Sequence, residues 1–268
     1  MAERKSASST QWLSGFHAVE AALQHDPERV LSVIFEQGRQ DKRVQQLRVL
    51  AESRGVSIEE APEKVFADRV RADRELARHQ GVLARYQPKP AGNEHDLFAL
   101  LDNLDEPAFL LILDGVTDPH NLGACLRSAE AAGVHAVISP KDRAVGLTPT
   151  ARKAASGAAE RLPFIQVTNL ARTLADLKSR QIWIVGAAGG GMVSLYESDF
   201  AAESVALVMG SEGEGLRRLT QEGCDQLIFI PMRPPVESLN VSVAAAVCLF
   251  EFRRVRDQVI NQARALSQ

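Results

Sequence analysis

The feature that most constrains the fold lies in residues 108–268, where continuous apolar runs alternate with helical patterns. FLLILD (109–114), VHAVIS (134–139), PFIQV (163–167), IWIVGAA (182–188), VALVMG (205–210) and LIFIP (227–231) are short and almost wholly apolar. Between them run NLGACLRSAEAAG, TPTARKAASGAA, LARTLADLKSR and LRRLTQEG, and a long final helix is expected from about Leu239. A strand with one wet face alternates apolar and polar residues. These runs do not, so both faces must be covered, which predicts a mainly parallel α/β sheet with helices on each side. Ligands of such sheets bind beyond the carboxyl ends of the strands. Chemistry is therefore expected in the turns after Asp114, Gly186, Gly210 and Pro231.

Ahead of this region, residues 87–107 begin Gln-Pro-Lys-Pro-Ala-Gly and turn acidic around one short apolar segment, the composition of an interdomain linker. Residues 1–10 are polar and expected to be flexible, and residues 11–86 read as a small α/β module. In that module WLSGFHAVEAAL, DKRVQQLRVLAESRG and PEKVFADRV have helical spacing, while RVLSVIF and GVLARY read as strands. Arg39, Lys42, Arg43 and Arg48 form one basic cluster, and Arg69, Arg71, Arg74 and Arg78 another. Asp41, Asp68, Asp73 and Glu75 interleave with them. Such runs are either ion-paired surface or phosphate contacts to RNA.

Composition narrows the class. With 268 residues, 45% hydrophobic and 24% charged, the chain is an ordinary globular one. It contains no apolar run near the ~20 residues that span a bilayer, and the N-terminus lacks the apolar stretch of a secretory signal. Cys125, Cys224 and Cys248 show neither CxxC spacing nor histidine pairing, so neither a disulfide framework nor a metal site is expected. A reducing cytoplasm, no membrane and no metal follow as expectations. The net charge of −3 argues against a generic nucleic-acid coat but leaves room for a local basic patch.

Three turns carry candidate chemistry. In DGVTDPHNLGACLRSAEAAG (114–133), Asp118 suits a helix N-cap and Pro119 the first helical position. Leu122, Cys125, Leu126 and Ala129 make one apolar stripe, with Arg127 on the opposite face and Asn121 in the first turn. A capped amphipathic helix explains most of this, but not the gathering of Asn121, His120 and Arg127 near a strand end. In MGSEGEG, Gly210, Gly213 and Gly215 spell G-x-x-G-x-G, which is neither the dinucleotide fingerprint nor a Walker loop. Glu212 and Glu214 would repel a pyrophosphate, so a cationic, neutral or hydroxyl-bearing ligand fits better, against the plainer alternative of a tight turn with positive φ. In IPMRPPVESLNVSVAAAV, Ser238 or Asn240 can cap the final helix, and the small residues after them suit close backbone packing.

Together the three segments resemble the SpoU (TrmH-like) family of RNA 2′-O-ribose methyltransferases, in the SPOUT superfamily. DPHNLGACLRSA matches the family's first motif with Asn121 and Arg127 in place, GSEGEG the second with Glu212, and IPM with SLNVSVA the third with Ser238 and Asn240. The N-terminal residues, ending HQGVLARY, look like the substrate-binding domain of bacterial 23S rRNA (guanosine-2′-O-)-methyltransferases. The resemblance implies a trefoil-knotted catalytic domain over 108–268, an RNA substrate-binding domain over 11–86, and a homodimer. It also implies S-adenosylmethionine (AdoMet) as cofactor, held near Gly210, Ile230, Leu239 and Met232, and 23S rRNA, or a ribosome assembly precursor, as substrate. One departure stands out: where the third motif commonly has a glycine two residues past the methionine, this chain has Pro234 and then Pro235, which removes a backbone donor.

The resemblance gives Arg127 the activating role. A guanidinium is a costly general base, so Arg127 is expected to bind the phosphate next to the target ribose and steer its 2′-OH. Asn121 and Glu212 would orient it, and Asn240 and Ser238 would hold the loop. The rival classes are a nucleotide-dependent oxidoreductase, disfavoured by the missing fingerprint, a non-catalytic RNA-binding protein, and a sister enzyme acting on tRNA or another rRNA ribose.

Overall fold

A computed structural model describes residues 10–39, 41–88, 90–198 and 202–266, with the side chains of Glu75 and residues 263–266 left aside. The N-terminal residues expected to be flexible lie, apart from Thr10, outside the described residues. The chain divides into two compact units, one of residues 1–90 with 147–161, the other of 91–146 with 162–268.

In the first unit the strands are β1 (Gln11–Ser14), β2 (Val30–Glu36), β3 (Ser57–Ala61) and β4 (Val82–Tyr86), and the helices α1 (Phe16–His25), α2 (Lys42–Ser53) and α3 (Glu63–Ala72). The sheet order is β1-β4-β2-β3, antiparallel except for the β2–β3 pair. Trp12 to Ser14, expected as helix, are strand, because Gly15 at φ +87 turns the chain before α1 begins. The apolar period of α1 is real, but it starts at Phe16, and Ala18, Val19, Ala22 and Leu23 bury its inner face. Gly15 offers no side chain to cap α1. Gln80 Oε1 substitutes, accepting from Phe16 N at 3.2 Å from across the unit. His79 Nδ1 accepts from Gly81 N at 3.0 Å, so the His-Gln-Gly turn has a structural task. Strand β3 (SIEEA) was not legible, being largely exposed and half acidic.

Many of the arginines in this unit have internal partners. Arg48 pairs with Glu60 at 2.7 Å and lies over the Phe35 ring, Arg39 pairs with Glu36 and Asp41, and Arg69 lies over Trp12.

Two boundaries differ from those expected. Residues 147–161, which sequence order puts inside the C-terminal domain of 108–268, fold with the first unit as α6 (Pro149–Ala155) and α7 (Ala158–Arg161). The reason is a buried polar cluster. Arg152 and Glu160 pair at 2.9 Å with side chains 2% and 1% exposed, and the Arg152 guanidinium lies over the ring of Tyr86, whose hydroxyl donates to Asp26 at 2.8 Å. Burial pushes the Glu160 carboxyl up, against the pull of Arg152. The stretch 87–107 is also more than a linker. It contains α4 (Glu94–Leu101), opened by an Asn93–Asp96 capping box, and Leu97 is fully buried in the core of the second unit.

The second unit is a seven-stranded sheet in the order β7-β6-β5-β10-β8-β11-β9, and every pairing is parallel. Its strands are β5 (Phe109–Asp114), β6 (Ala136–Pro140), β7 (Phe164–Val167), β8 (Trp183–Ala187), β9 (Val193–Ser194), β10 (Val205–Gly210) and β11 (Gln226–Phe229). The covering helices are α5 (Pro119–Ala131), α8 (Leu170–Ser179), α9 (Arg218–Glu222) and α10 (Val241–Leu266). All six residues of β5 are buried, as expected of a central parallel strand. Among the described residues, no helix is long and apolar enough to cross a membrane.

Candidate active site

The central strands end side by side, with Gly210 of β10 in register with Asp114 of β5, and Met209 with Ala187 of β8. The loop after β10 folds back on itself. Ser211 and Gly215 exchange backbone hydrogen bonds of 3.1 and 3.0 Å, and Gly213 and Gly215 take φ of +88 and +69. A Cβ on Gly210 would stand 2.1 Å from the Gly215 carbonyl carbon. The glycine pattern is thus set first by the loop's own return, a geometry closed to side chains.

Asp114 fastens this loop. Fully buried at the end of β5, it accepts from Arg217 N at 3.0 Å and Arg217 Nε at 2.5 Å, and also pairs with Arg217 Nη2. Neither residue stood out in the sequence as functional. The only signal is the acid closing an otherwise apolar strand, and no spacing rule links it to an arginine 103 positions away.

The loop holds Glu212 exposed at its tip, and two other segments meet it there. Asp118 caps α5 as expected, accepting from His120 N and Asn121 N at 2.6 and 3.2 Å. That places Asn121 in the first turn, where its Nδ2 donates to Glu212 Oε1 at 3.1 Å. Asn240, rather than Ser238, caps α10, with Oδ1 accepting from Ser242 N and Val243 N at 2.9 and 3.4 Å. Its Nδ2 donates to Glu212 Oε1 at 2.5 Å and to Asn121 Oδ1 at 3.0 Å, and Val241 N donates to the same Glu212 oxygen at 3.3 Å. One carboxylate oxygen thus ties together three segments, while Oε2 receives no donor among the described residues.

Arg127 is exposed on α5, opposite the buried stripe of Leu122, Cys125, Leu126 and Ala129, and makes no ion pair or hydrogen bond with a described residue. Ser238 is exposed and outside the network, while Ser242, not singled out from sequence, is inside it, its Oγ donating to Asn240 Oδ1 at 2.6 Å. Ile230 and Met232 are half-buried and Leu239 is 36% exposed in the loop between β11 and α10, which contains a cis Pro234–Pro235 bond. Glu214 is exposed. No cluster of three or more His, Cys, Asp or Glu side chains suited to a metal occurs among the described residues.

This donor set fits a sulfonium cofactor. An exposed carboxylate at the loop tip favours a cation, the half-buried Ile230 and Met232 offer apolar surface, and the loops after β10 and β11 begin at strand ends in one sheet. A free guanidinium on the neighbouring helix suits a phosphate-bearing substrate.

A parallel α/β sheet puts this mouth at the carboxyl ends of its strands, where such sheets bind cofactors and substrates. The sequence model of the SpoU rRNA Methylase family matches residues 108–250, and that for RNA 2′-O ribose methyltransferase substrate binding matches residues 12–91. The chain is 54% identical over 247 residues to the 23S rRNA (guanosine-2′-O-)-methyltransferase RlmB of Escherichia coli (strain K12), covering 92% of this chain and 99% of that protein. The AdoMet-bound rRNA methyltransferase of Sinorhizobium meliloti superposes with a TM-score of 0.69 at 26% identity, covering 91% of this chain and 87% of that one. The SpoU methyltransferase AviRb of Streptomyces viridochromogenes shares the fold with a TM-score of 0.77 at 22% identity, covering 96% and 95%. The chain belongs to the SpoU rRNA methylase family.

Proposed function

We propose that this chain transfers a methyl group from S-adenosylmethionine to the ribose 2′-OH of a guanosine in 23S rRNA, giving 2′-O-methylguanosine. The observation that carries the reading is the convergence of Asn121, Asn240 and Val241 on Glu212, with Arg127 exposed on the helix that Asn121 opens and without a hydrogen-bond partner among the described residues, in a chain over half identical, nearly end to end, to relatives bearing that name.

AdoMet supplies an electrophilic methyl on a good leaving group, so the protein's task is alignment and proton removal. Gly210, Ile230, Met232 and Leu239 would hold the cofactor. Arg127 binds the phosphate beside the target ribose and steers the 2′-OH, whose proton leaves through that phosphate or water rather than through the guanidinium. Glu212 serves as a hydrogen-bond acceptor that holds Asn121, Asn240 and the Val241 N–H on one oxygen. Asn121 and Asn240 keep it aimed, and Ser238 lies on the loop that leads into this cap.

The same reading gives the first unit the RNA substrate-binding role, places the protein in the cytoplasm, threads the second unit as a trefoil knot, and pairs two copies. Support for pairing comes from Val236, Leu239, Val243 and Phe250, large apolar side chains left exposed on α10 and the loop before it.

The test is methyl incorporation by purified protein into 23S rRNA and tRNA, with 2′-O-methyl sites mapped in a gene-deletion strain. We expect one lost rRNA guanosine site. A loss confined to tRNA overturns the substrate. Arg127→Ala should retain AdoMet binding and lose at least about a hundredfold in kcat, and a wild-type rate would overturn the role of Arg127.

A further inference from the structure

Asn240 must present Nδ2, not Oδ1, to Glu212, and an amide can sit either way round. The structure settles its direction with three donors on Oδ1: Ser242 N at 2.9 Å, Val243 N at 3.4 Å and, shortest, Ser242 Oγ at 2.6 Å. Reversed, the amide would set Nδ2 against two backbone N–H groups, and Oδ1 against the Glu212 carboxylate and Asn121 Oδ1. The two backbone donors are the ordinary cap of a helix. The hydroxyl is additional, and helix formation does not require it, because alanine at position 242 would favour α10 at least as well.

We infer that Ser242 is a positioning residue for the methyl-transfer site, its hydroxyl aiming the Asn240 amide at Glu212 and Asn121. The bonds run in one direction, from Ser242 Oγ–H to Asn240 Oδ1, and from Asn240 Nδ2–H to Glu212 Oε1 and Asn121 Oδ1. Donation into an amide oxygen polarises its N–H groups, so the first bond strengthens the next two. Glu212 Oε1 is thereby occupied, which leaves Oε2, without a donor among the described residues, for substrate or cofactor. The second serine of SLNVS acts through Asn240, whereas Ser238 makes no hydrogen bond to the network.

This inference rests on the methyltransferase reading, and its test separates the two. Ser242→Ala should lower kcat about three- to tenfold, the range of one neutral hydrogen bond, with KM for AdoMet and Tm unchanged. Ser242→Thr, which keeps the hydroxyl, should restore most of the rate, and in an Asn240→Ala background Ser242→Ala should cost nothing further. In the cofactor-free protein, the Asn240 side-chain amide resonances should shift and broaden in Ser242→Ala. Wild-type kcat with unmoved Asn240 resonances overturns the inference. So does a loss that persists undiminished in the Asn240→Ala background, or one accompanied by a fallen Tm and not rescued by threonine. Wild-type protein that binds AdoMet yet methylates no rRNA sinks the underlying reading instead, while the resonance readout still tests the geometry.

Discussion

Asp114 and Arg217 offer the sharpest energetic test. The Asp114 carboxylate is fully buried and holds the Arg217 backbone and guanidinium together, so one ion pair fastens the base of the loop carrying Glu212. Asp114→Asn keeps the shape and one acceptor, sufficient for the backbone N–H, but turns an NH2 group toward the guanidinium. Removing one partner of a buried pair costs about 3–5 kcal/mol. The Arg217 side chain is 36% exposed and can turn to water, which lowers the expected cost to about 2–3 kcal/mol. In a domain of this size, roughly 2–4 °C per kcal/mol gives a Tm lower by about 5–10 °C. Arg217→Ala should be worse, near the full 3–5 kcal/mol, because it strands a buried carboxylate on a single backbone donor. Thermal unfolding by circular dichroism reads both variants, and calorimetry should find AdoMet binding weakened by about tenfold. If Asp114→Asn unfolds within a degree of wild type, or Arg217→Ala is the milder change, the ion pair does not fasten the loop.

Two further outcomes follow from single residues. Gly210→Ala places a Cβ 2.1 Å from the Gly215 carbonyl carbon, so AdoMet affinity should fall at least about tenfold, whereas Gly213→Ala meets no atom and should cost only about 1 kcal/mol through its φ of +88; calorimetry of both checks this. Burial holds the His79 imidazole below the ordinary histidine value of 6.5, against the opposing pull of Glu36. The unfolded chain therefore binds the proton more readily, and the stability of the first unit should be fully present above pH 6.5 and fall as pH drops below it. His79→Gln should flatten that slope in urea titrations between pH 7 and 5, and an unchanged slope would remove His79 as its source.

The sheet was legible because a fully covered parallel strand leaves a plain mark, a run such as FLLILD or VALVMG with no polar alternation. Local caps were legible for the same kind of reason, Asp118 outright and Asn240 as one of two candidates with Ser238, since each cap acts within three residues of itself. The strand at Trp12 and the edge strand at Ser57 were not, because one looks like the helix that follows it and the other carries little burial to pattern it. The placement of residues 147–161 was hidden by a different cause. Its determinant, Arg152 with Glu160 against Tyr86, depends on a ring more than sixty residues earlier in the chain, and nothing in TPTARKAASGAAE distinguishes that pair from a solvated one.

The site itself divides along the same line. Asn121 and Glu212 are 91 positions apart, Asn121 and Asn240 are 119 apart, and no periodicity connects them. They became candidates only together, through ordered motifs whose physical meaning the structure supplies. The two glutamates of MGSEGEG disfavour a pyrophosphate on charge, but they do not say which of them meets the other two segments. The loop's return decides it, because Ser211 pairing with Gly215 puts Glu212 on the side where α5 and α10 begin and leaves Glu214 to solvent. What lay beyond both spacing and motif is the support beneath that carboxylate, Asp114 below the loop and Ser242 behind the amide. Each acts through another residue, so each is visible only once the chain is folded.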